Sequence, residues 1–133
     1  MDRNGFGFAG SGWCVKHATL TDLAVSEPVR GALGRFMKEV QQRAGDRIIE
    51  VVLYGSVARG QPGPESDVDL LVRWRGAEAE GRAVMAGVTT RIFLDTGVLL
   101  STHVFSSERW NRIAELQTAF HENVAREGIS VSG

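Results

Sequence analysis

The sequence predicts a small α/β (α+β) domain. Three observations predict this class: three short apolar runs rich in β-branched residues, helical periodicity around them, and a length of 133 residues, which suits one domain. The predicted order along the chain is helix, strand, strand, helix, strand, helix.

The first predicted helix begins at Ser26 and ends near Gly45. Ser26 suits the N-cap, Pro28 is tolerated in the first turn, and Gly45 suits the stop. Apolar residues recur between these ends at helical spacing, namely Val29, Ala32, Leu33, Phe36, Met37 and Val40.

Two strands follow this helix. The run RIIEVVLY, residues 47–54, is short, β-branched and apolar, which predicts a central strand. A polar loop around Pro62, Gly63 and Pro64 separates it from a second apolar run, DVDLLVRW, at residues 67–74.

The second half of the chain predicts helix, strand and helix. Residues 77–97 form the weaker helical pattern, with Val84, Val88 and Ile92 on one face, and residues 98–106 (VLLSTHVFS) predict the third strand. A last helix is expected from a cap at Ser106 or Ser107 to Gly128. One side of that helix would carry Trp110, Ile113, Gln117, Phe120 and Val124.

Residues 1–25 differ from the rest of the chain. The segment is glycine-rich without a sustained period, so we expect an N-terminal extension before a domain at 26–133. Two alternatives remain open at this stage: the extension is disordered, or residues 13–18 add an edge strand.

Composition excludes several classes of protein. Fifteen basic and sixteen acidic residues give a formal charge of −1, which leaves no electrostatic footprint for duplex DNA or a membrane surface. No apolar run is long enough to span a bilayer, and the amino terminus carries no apolar signal core, so we expect a cytoplasmic protein. Cys14 is the single cysteine, which rules out an internal disulfide and a cysteine metal cluster.

The loop and second strand hold the strongest functional signal. Asp67 and Asp69 flank Val68, so both carboxylates face the same side of a strand and repel each other. A divalent cation would relieve that repulsion, and hard carboxylate oxygens suit Mg²⁺ or Mn²⁺. Alone, an Asp-x-Asp pair is more often a solvated strand end.

Gly55 and Ser56 supply the other half of the signal. Gly55 permits a sharp turn and close approach of a ligand, and Ser56 offers a hydroxyl and an N–H at the start of a short helix. Arg59 follows and can pair with phosphate oxygens. Alone, Gly-Ser is usually a turn and Arg59 a surface cation. Together with the paired aspartates they describe a nucleoside triphosphate site, which lacks the lysine of a P-loop.

The segment GSVARGQPGPESDVDLLV resembles the nucleotidyltransferase superfamily related to DNA polymerase β, and within it the minimal nucleotidyltransferase (MNT) proteins and kanamycin-type enzymes. The resemblance implies a small mixed β-sheet flanked by helices. It also implies that Gly55, Ser56, Arg59 and Ser66 bind the nucleotide, while Asp67 and Asp69 bind Mg²⁺ and are catalytic. An acceptor hydroxyl would then take a nucleoside monophosphate from an NTP, most simply ATP.

The sequence departs from this family at one position. The family places a third carboxylate on the next core strand, but residues 98–106 contain no Asp or Glu. Ser101, Thr102 and His103 are the polar residues at mid-strand, and alternation favours the face of Ser101 and His103 for the cleft. Asp95 precedes this strand, where a local turn or cap contact is the simpler role.

Two functions follow from the resemblance. The first is Mg²⁺-dependent nucleotidyl transfer to a hydroxyl of a protein, nucleic-acid end or small molecule. The alternative is a catalytically weak or inactive antitoxin that binds and neutralises a HEPN-type toxin, a partner known from MNT pairs. A partner chain or a homodimer would complete a cleft in so small a domain. Trp110 and Phe120 are candidates for that contact, although their periodic spacing favours the protein's own core.

Overall fold

The computed structural model describes residues 15–60 and 67–132. Its strands form one five-stranded sheet: β1 (Lys16–Thr19), β2 (Ile48–Tyr54), β3 (Val68–Trp74), β4 (Leu100–Ser106) and β5 (Ile129–Ser132). The helices are α1 (Glu27–Ala44), α2 (Gly55–Ala58), α3 (Glu78–Thr96), α4 (Ser107–Glu115) and α5 (Ala119–Glu127).

The sheet is mixed, with strand order β1-β5-β2-β3-β4. β2 pairs antiparallel with both β3 and β5, whereas β3 with β4 and β1 with β5 are parallel. The parallel β3–β4 pair is joined by the long crossover helix α3, as parallel strands require. These features confirm the predicted fold class.

One face of the sheet packs against α1 and α3. Leu33 and Phe36 of α1 and Met85 and Ile92 of α3 are fully buried there. They form the main core together with residues of the sheet, namely Val51, Leu53, Val68, Leu70, Val72, Trp74, Leu100 and Val104. The alternation of β3 places its even-numbered residues on this face.

The opposite face is covered by α4 and α5. Val52, Leu71 and Phe105 of the sheet pack against Trp110 and Val124 of these helices. The ring of Phe120 contacts both Phe105 and Trp110, with ring centroids 5.8 and 6.2 Å apart. Trp110 is thus part of the protein's own core, as its spacing favoured, and Phe120 packs against it.

The predicted ends of the first two long helices are confirmed. The Ser26 hydroxyl caps α1 by accepting a hydrogen bond from the backbone N–H of Val29, and α1 ends before Gly45. α3 ends at Gly97, which adopts the left-handed conformation at φ +80° that favours glycine. The three predicted strands correspond to β2, β3 and β4.

The prediction of one last helix is wrong. The segment forms two helices, because Gln117 takes φ +51° and Thr118 starts a new helix by accepting a hydrogen bond from the N–H of His121. Gln117 therefore lies at the break and not on a continuous apolar side. The strand β5, which the sequence did not predict, follows directly after Gly128.

Residues 15–25 belong to the fold. β1 is the edge strand that the sequence left open, although it spans Lys16–Thr19, and Leu23 is buried in the main core. The Arg30 guanidinium on α1 holds the following turn by donating to the backbone carbonyls of Leu20, Thr21, Leu23 and Val25. Among the described residues, no helix combines the length and apolar character needed to cross a bilayer.

Candidate active site

Three neighbouring strands bring polar residues side by side at one end of the sheet, on the face that α4 and α5 cover. Tyr54 at the end of β2 is in register with Asp69 of β3, which is in turn in register with Ser101 of β4. Asp69 lies on the face opposite to Val68 and Leu70, because neighbouring residues of a strand alternate. The carboxylate is half-buried between the two flanking strands.

Gly55 lies directly against the Asp69 carboxylate. Gly55 has φ +83°, and a Cβ atom at this position would lie 2.5 Å from Asp69 Oδ2. Both the backbone conformation and the close approach therefore require glycine. The chain then enters α2, which is anchored by the buried Val57, and the N–H of Arg59 donates to the carbonyl of Gly55 at 3.1 Å.

The surroundings of Asp69 disfavour its negative charge. Burial raises the pKa of the Asp69 carboxyl and the Asp67 carboxylate raises it further, whereas His103 and Arg59 act to lower it. The net effect is a raised pKa. Asp67 is exposed immediately before β3. A cation bound to both carboxylates would offset the burial and the repulsion together.

Tyr54 contributes an uncharged side chain to the site. Burial and the charge of Asp69 raise the pKa of its phenol to about 12, so the hydroxyl keeps its proton at neutral pH. Its ring lies 6.1 Å from that of His103 and 5.8 Å from that of Phe120, measured between centroids. No sequence pattern indicates this role, because Tyr54 stands at the end of an apolar strand.

Arg59 connects the site to α5. Its Nη1 donates to Glu127 Oε1 at 3.0 Å, while its charge also acts on Asp69. Sequence reasoning did not identify Glu127 as part of this neighbourhood. The two residues are 68 positions apart, and only the tertiary fold brings them together.

The structure brings Gly55, Ser56, Arg59 and Asp69 together at one end of the sheet, with Asp67 one residue before β3. Ser66 lies outside the described residues. Across residues 15–60 and 67–132, no group of three or more His, Cys, Asp or Glu side chains gathers as a metal cluster.

The polar residues of β4 follow the predicted alternation. Ser101 and His103 lie on the face of Asp69, whereas their neighbours Leu100 and Val104 are buried in the opposite core. Asp95 has a different position from the local cap that the sequence favoured: its Oδ2 accepts a hydrogen bond from Arg35 Nη1 of α1 at 2.7 Å. Asp95 is thus engaged in a contact between helices.

A glycine turn against a half-buried aspartate, on a mixed sheet with a parallel crossover, defines a candidate nucleotide-handling site. The nucleotidyltransferase domain model matches residues 33–126, which is well over half of the chain. The chain therefore belongs to the nucleotidyltransferase family, whose members transfer nucleotides from nucleoside triphosphates.

Two archaeal proteins are similar to this chain. "Putative protein adenylyltransferase MJ0604" of Methanocaldococcus jannaschii is 31% identical over 97 residues, which cover 73% of this chain and 91% of that protein. "Putative protein adenylyltransferase MJ1305" of the same organism is 48% identical over 40 residues, or 30% of this chain and 27% of that protein. The first similarity extends over most of both chains and supports the family membership.

Proposed function

We propose that this nucleotidyltransferase is Mg²⁺-dependent and transfers adenylate from ATP to a hydroxyl group of a protein. The observation that carries the proposal is the position of the Gly55 turn directly against the Asp69 carboxylate, because it brings the loop that would bind phosphate beside a group that would bind the metal. The names of the two archaeal relatives support the choice of adenylate and of a protein acceptor.

In the proposed reaction, the acceptor oxygen forms a bond to the α-phosphorus of ATP. The bond between that phosphorus and the bridging oxygen to the β-phosphate breaks, pyrophosphate leaves, and the acceptor proton passes to solvent. Arg59 pairs with phosphate oxygens, and the protonated Tyr54 adds no charge beside them. When bound, Mg²⁺ would neutralise the negative charge that develops on the phosphates.

The residues present fit such an ion. Asp69 is half-buried with a raised pKa, and the exposed Asp67 offers a second carboxylate beside it. Mg²⁺ commonly takes one or two protein carboxylates and keeps water and substrate phosphates as its other ligands. Asp67 and Asp69 would therefore hold it, and no further acidic residue is needed for binding.

The test is calorimetric titration with ATP in the presence and absence of Mg²⁺. Wild type is expected to bind ATP only with the metal, and Asp67→Asn and Asp69→Asn should each lose that binding while keeping a cooperative unfolding transition. Asp46→Asn is the matched control, because Asp46 is exposed at the opposite end of β2. Equal Mg-ATP affinity in wild type and in both site variants would refute the assignment.

A second candidate, a HEPN-binding antitoxin with weak or no transfer activity, is favoured by one observation. The face of β4 beside Asp69 presents Ser101 and His103 and no carboxylate. Incubation with labelled ATP, Mg²⁺ and a co-purified partner protein distinguishes the two. Label on the partner supports transfer, whereas inhibition of a partner ribonuclease without label supports the antitoxin.

A further inference from the structure

We infer that Glu127 is a positioning residue, which holds the Arg59 guanidinium in place for the triphosphate. The inference rests on the proposed function, because it assigns Arg59 to the phosphates. Arg59 Nη1 donates to Glu127 Oε1 at 3.0 Å. A guanidinium carries five donors, so this contact leaves donors for phosphate oxygens.

The location of Glu127 is unfavourable for its own helix. It is the last residue of α5, where the negative end of the helix dipole repels a carboxylate. A basic residue would suit this position better on local grounds, so a contact elsewhere has to compensate. Arg59 makes that contact, and Arg126 approaches the other carboxylate oxygen at 3.6 Å.

The backbone at Glu127 is held firmly against the sheet. The next residue, Gly128, donates its N–H to the carbonyl of Val124 at 2.7 Å. A Cβ at Gly128 would lie 2.8 Å from Val52 Cγ1 of β2, so the chain presses directly on the central strand. The side chain of Glu127, which is 24% exposed, therefore projects from a fixed point.

Arg59 gains most from such an anchor. Its side chain is 45% exposed, and an unrestrained arginine loses its rotamer freedom when it binds a ligand. Immobilising one such side chain in advance changes affinity by about two- to tenfold. Charge repulsion between Glu127 and the phosphates would instead weaken Mg-ATP binding. Weaker binding by Glu127→Ala therefore indicates positioning of Arg59, and tighter binding indicates repulsion.

The experiment measures Mg-ATP affinity by calorimetry for Glu127→Ala, Arg59→Ala and the double variant. Glu127→Ala is expected to bind about two- to tenfold more weakly than wild type, with no further loss when Arg59 is already alanine. Glu127→Gln keeps an acceptor oxygen for Arg59 and should retain most of the affinity. Glu122→Ala, an exposed carboxylate on the same helix, is the matched control and should bind as wild type does.

Three results would overturn the inference. These are unchanged or tighter binding by Glu127→Ala, an equal loss of affinity in the Arg59→Ala background, and an equal loss in Glu122→Ala. If Glu127→Ala does not fold, Glu127→Gln and the Arg59 variants decide, since tighter binding by Glu127→Gln would indicate repulsion. Wild-type protein that binds no Mg-ATP would refute the proposed function itself, which keeps the two failures distinct.

Discussion

At the scale of single residues, the site depends on the close approach of the Asp69 carboxylate to the backbone at Gly55. The contact has two independent requirements, since Gly55 has positive φ and also has no room for a side chain. The same chain contains a glycine with only the first requirement: Gly60 has φ +74° and no atom within 4 Å of a built Cβ. Comparing Gly55 with Gly60 therefore separates the cost of the left-handed backbone from the cost of the close contact with Asp69.

Gly55→Ala is expected to lower the free energy of unfolding by more than Gly60→Ala. Both variants place alanine in the left-handed region, which costs about 1–3 kcal/mol. Only Gly55→Ala also displaces Asp69, so only this variant should lose Mg-ATP binding. Urea denaturation and calorimetry of both variants measure the difference, and equal stability and equal binding would show that the contact has no importance.

Asp69→Asn is expected to stabilise the metal-free protein at neutral pH. Because the folded-state pKa of Asp69 is raised, the folded protein holds this proton more tightly than the unfolded chain does. The destabilising effect of its charge is therefore present above the folded-state pKa and disappears as the pH falls below the unfolded value of about 3.9. The melting temperature of the metal-free protein at pH 7 should therefore rise.

The gain from Asp69→Asn should shrink towards zero in melting curves recorded at decreasing pH. Asp46→Asn serves as its control, because Asp46 is exposed at the opposite end of β2 and its neutralisation should change the melting temperature little. A lower melting temperature for Asp69→Asn at pH 7 would mean that the carboxylate makes a stabilising contact in the folded state.

The sequence predicted part of this site and missed another part for a physical reason. Local patterns predict the positions of Asp67, Asp69 and Gly55. The alternation of a strand places both aspartates on one face, and the glycine permits the sharp turn. Glu127 and Tyr54 carry no such pattern. Their places depend on how α5 packs on the sheet and on the register of β2 against β3, which side-chain spacing within one segment does not encode.

At the scale of secondary structure, the break between α4 and α5 is the main difference from the sequence prediction. Apolar residues on both sides kept helical spacing, so periodicity gave no reason to end the helix. The turn is made by Gln117, a residue type that gives no warning of positive φ, and by the cap of Thr118. The strand β5 was missed because it has only four residues, which are too few for an alternating pattern to be recognised.

Gln117→Gly is expected to raise the free energy of unfolding by about 0.5–1 kcal/mol. Glycine removes the cost of the left-handed conformation, and the greater freedom of the unfolded chain offsets part of that gain. Leu116→Gly is the matched control: Leu116 is exposed with φ −80°, so glycine there should only destabilise. Urea denaturation measures both, and a loss of stability in Gln117→Gly would contradict the expectation.

At the scale of the whole molecule, the two faces of the sheet differ in polarity beneath the helices that cover them. The face under α1 and α3 is apolar, whereas the other face includes the ion pair of Arg73 Nη1 with Glu50 Oε1 at 3.3 Å. Both side chains are buried, with 8% and 7% of their surface exposed. The ion pair joins the neighbouring strands β2 and β3 on the face that α4 and α5 cover.

Arg73→Met is expected to lower the free energy of unfolding by about 3–5 kcal/mol, because it leaves the Glu50 carboxylate buried without its guanidinium partner. Replacing both residues, as Arg73→Met with Glu50→Leu, should recover most of that loss. Arg47→Met is the control, since its ion pair with Glu80 is exposed and should contribute less than about 1 kcal/mol. Chemical denaturation of the three variants tests the expectation; a double variant as unstable as Arg73→Met would contradict it.

The pairing of β1 with β5 also has a consequence for biosynthesis. β1 is synthesised before the strand beside which it lies, Ile129–Ser132, which emerges from the ribosome on the order of 100 residues later. At typical translation rates of about 5–20 residues per second, the first strand waits about 5–20 s for its neighbour. During that interval Arg30 can already fasten the turn after β1 to α1, so that the nascent chain keeps the first strand close to its final place.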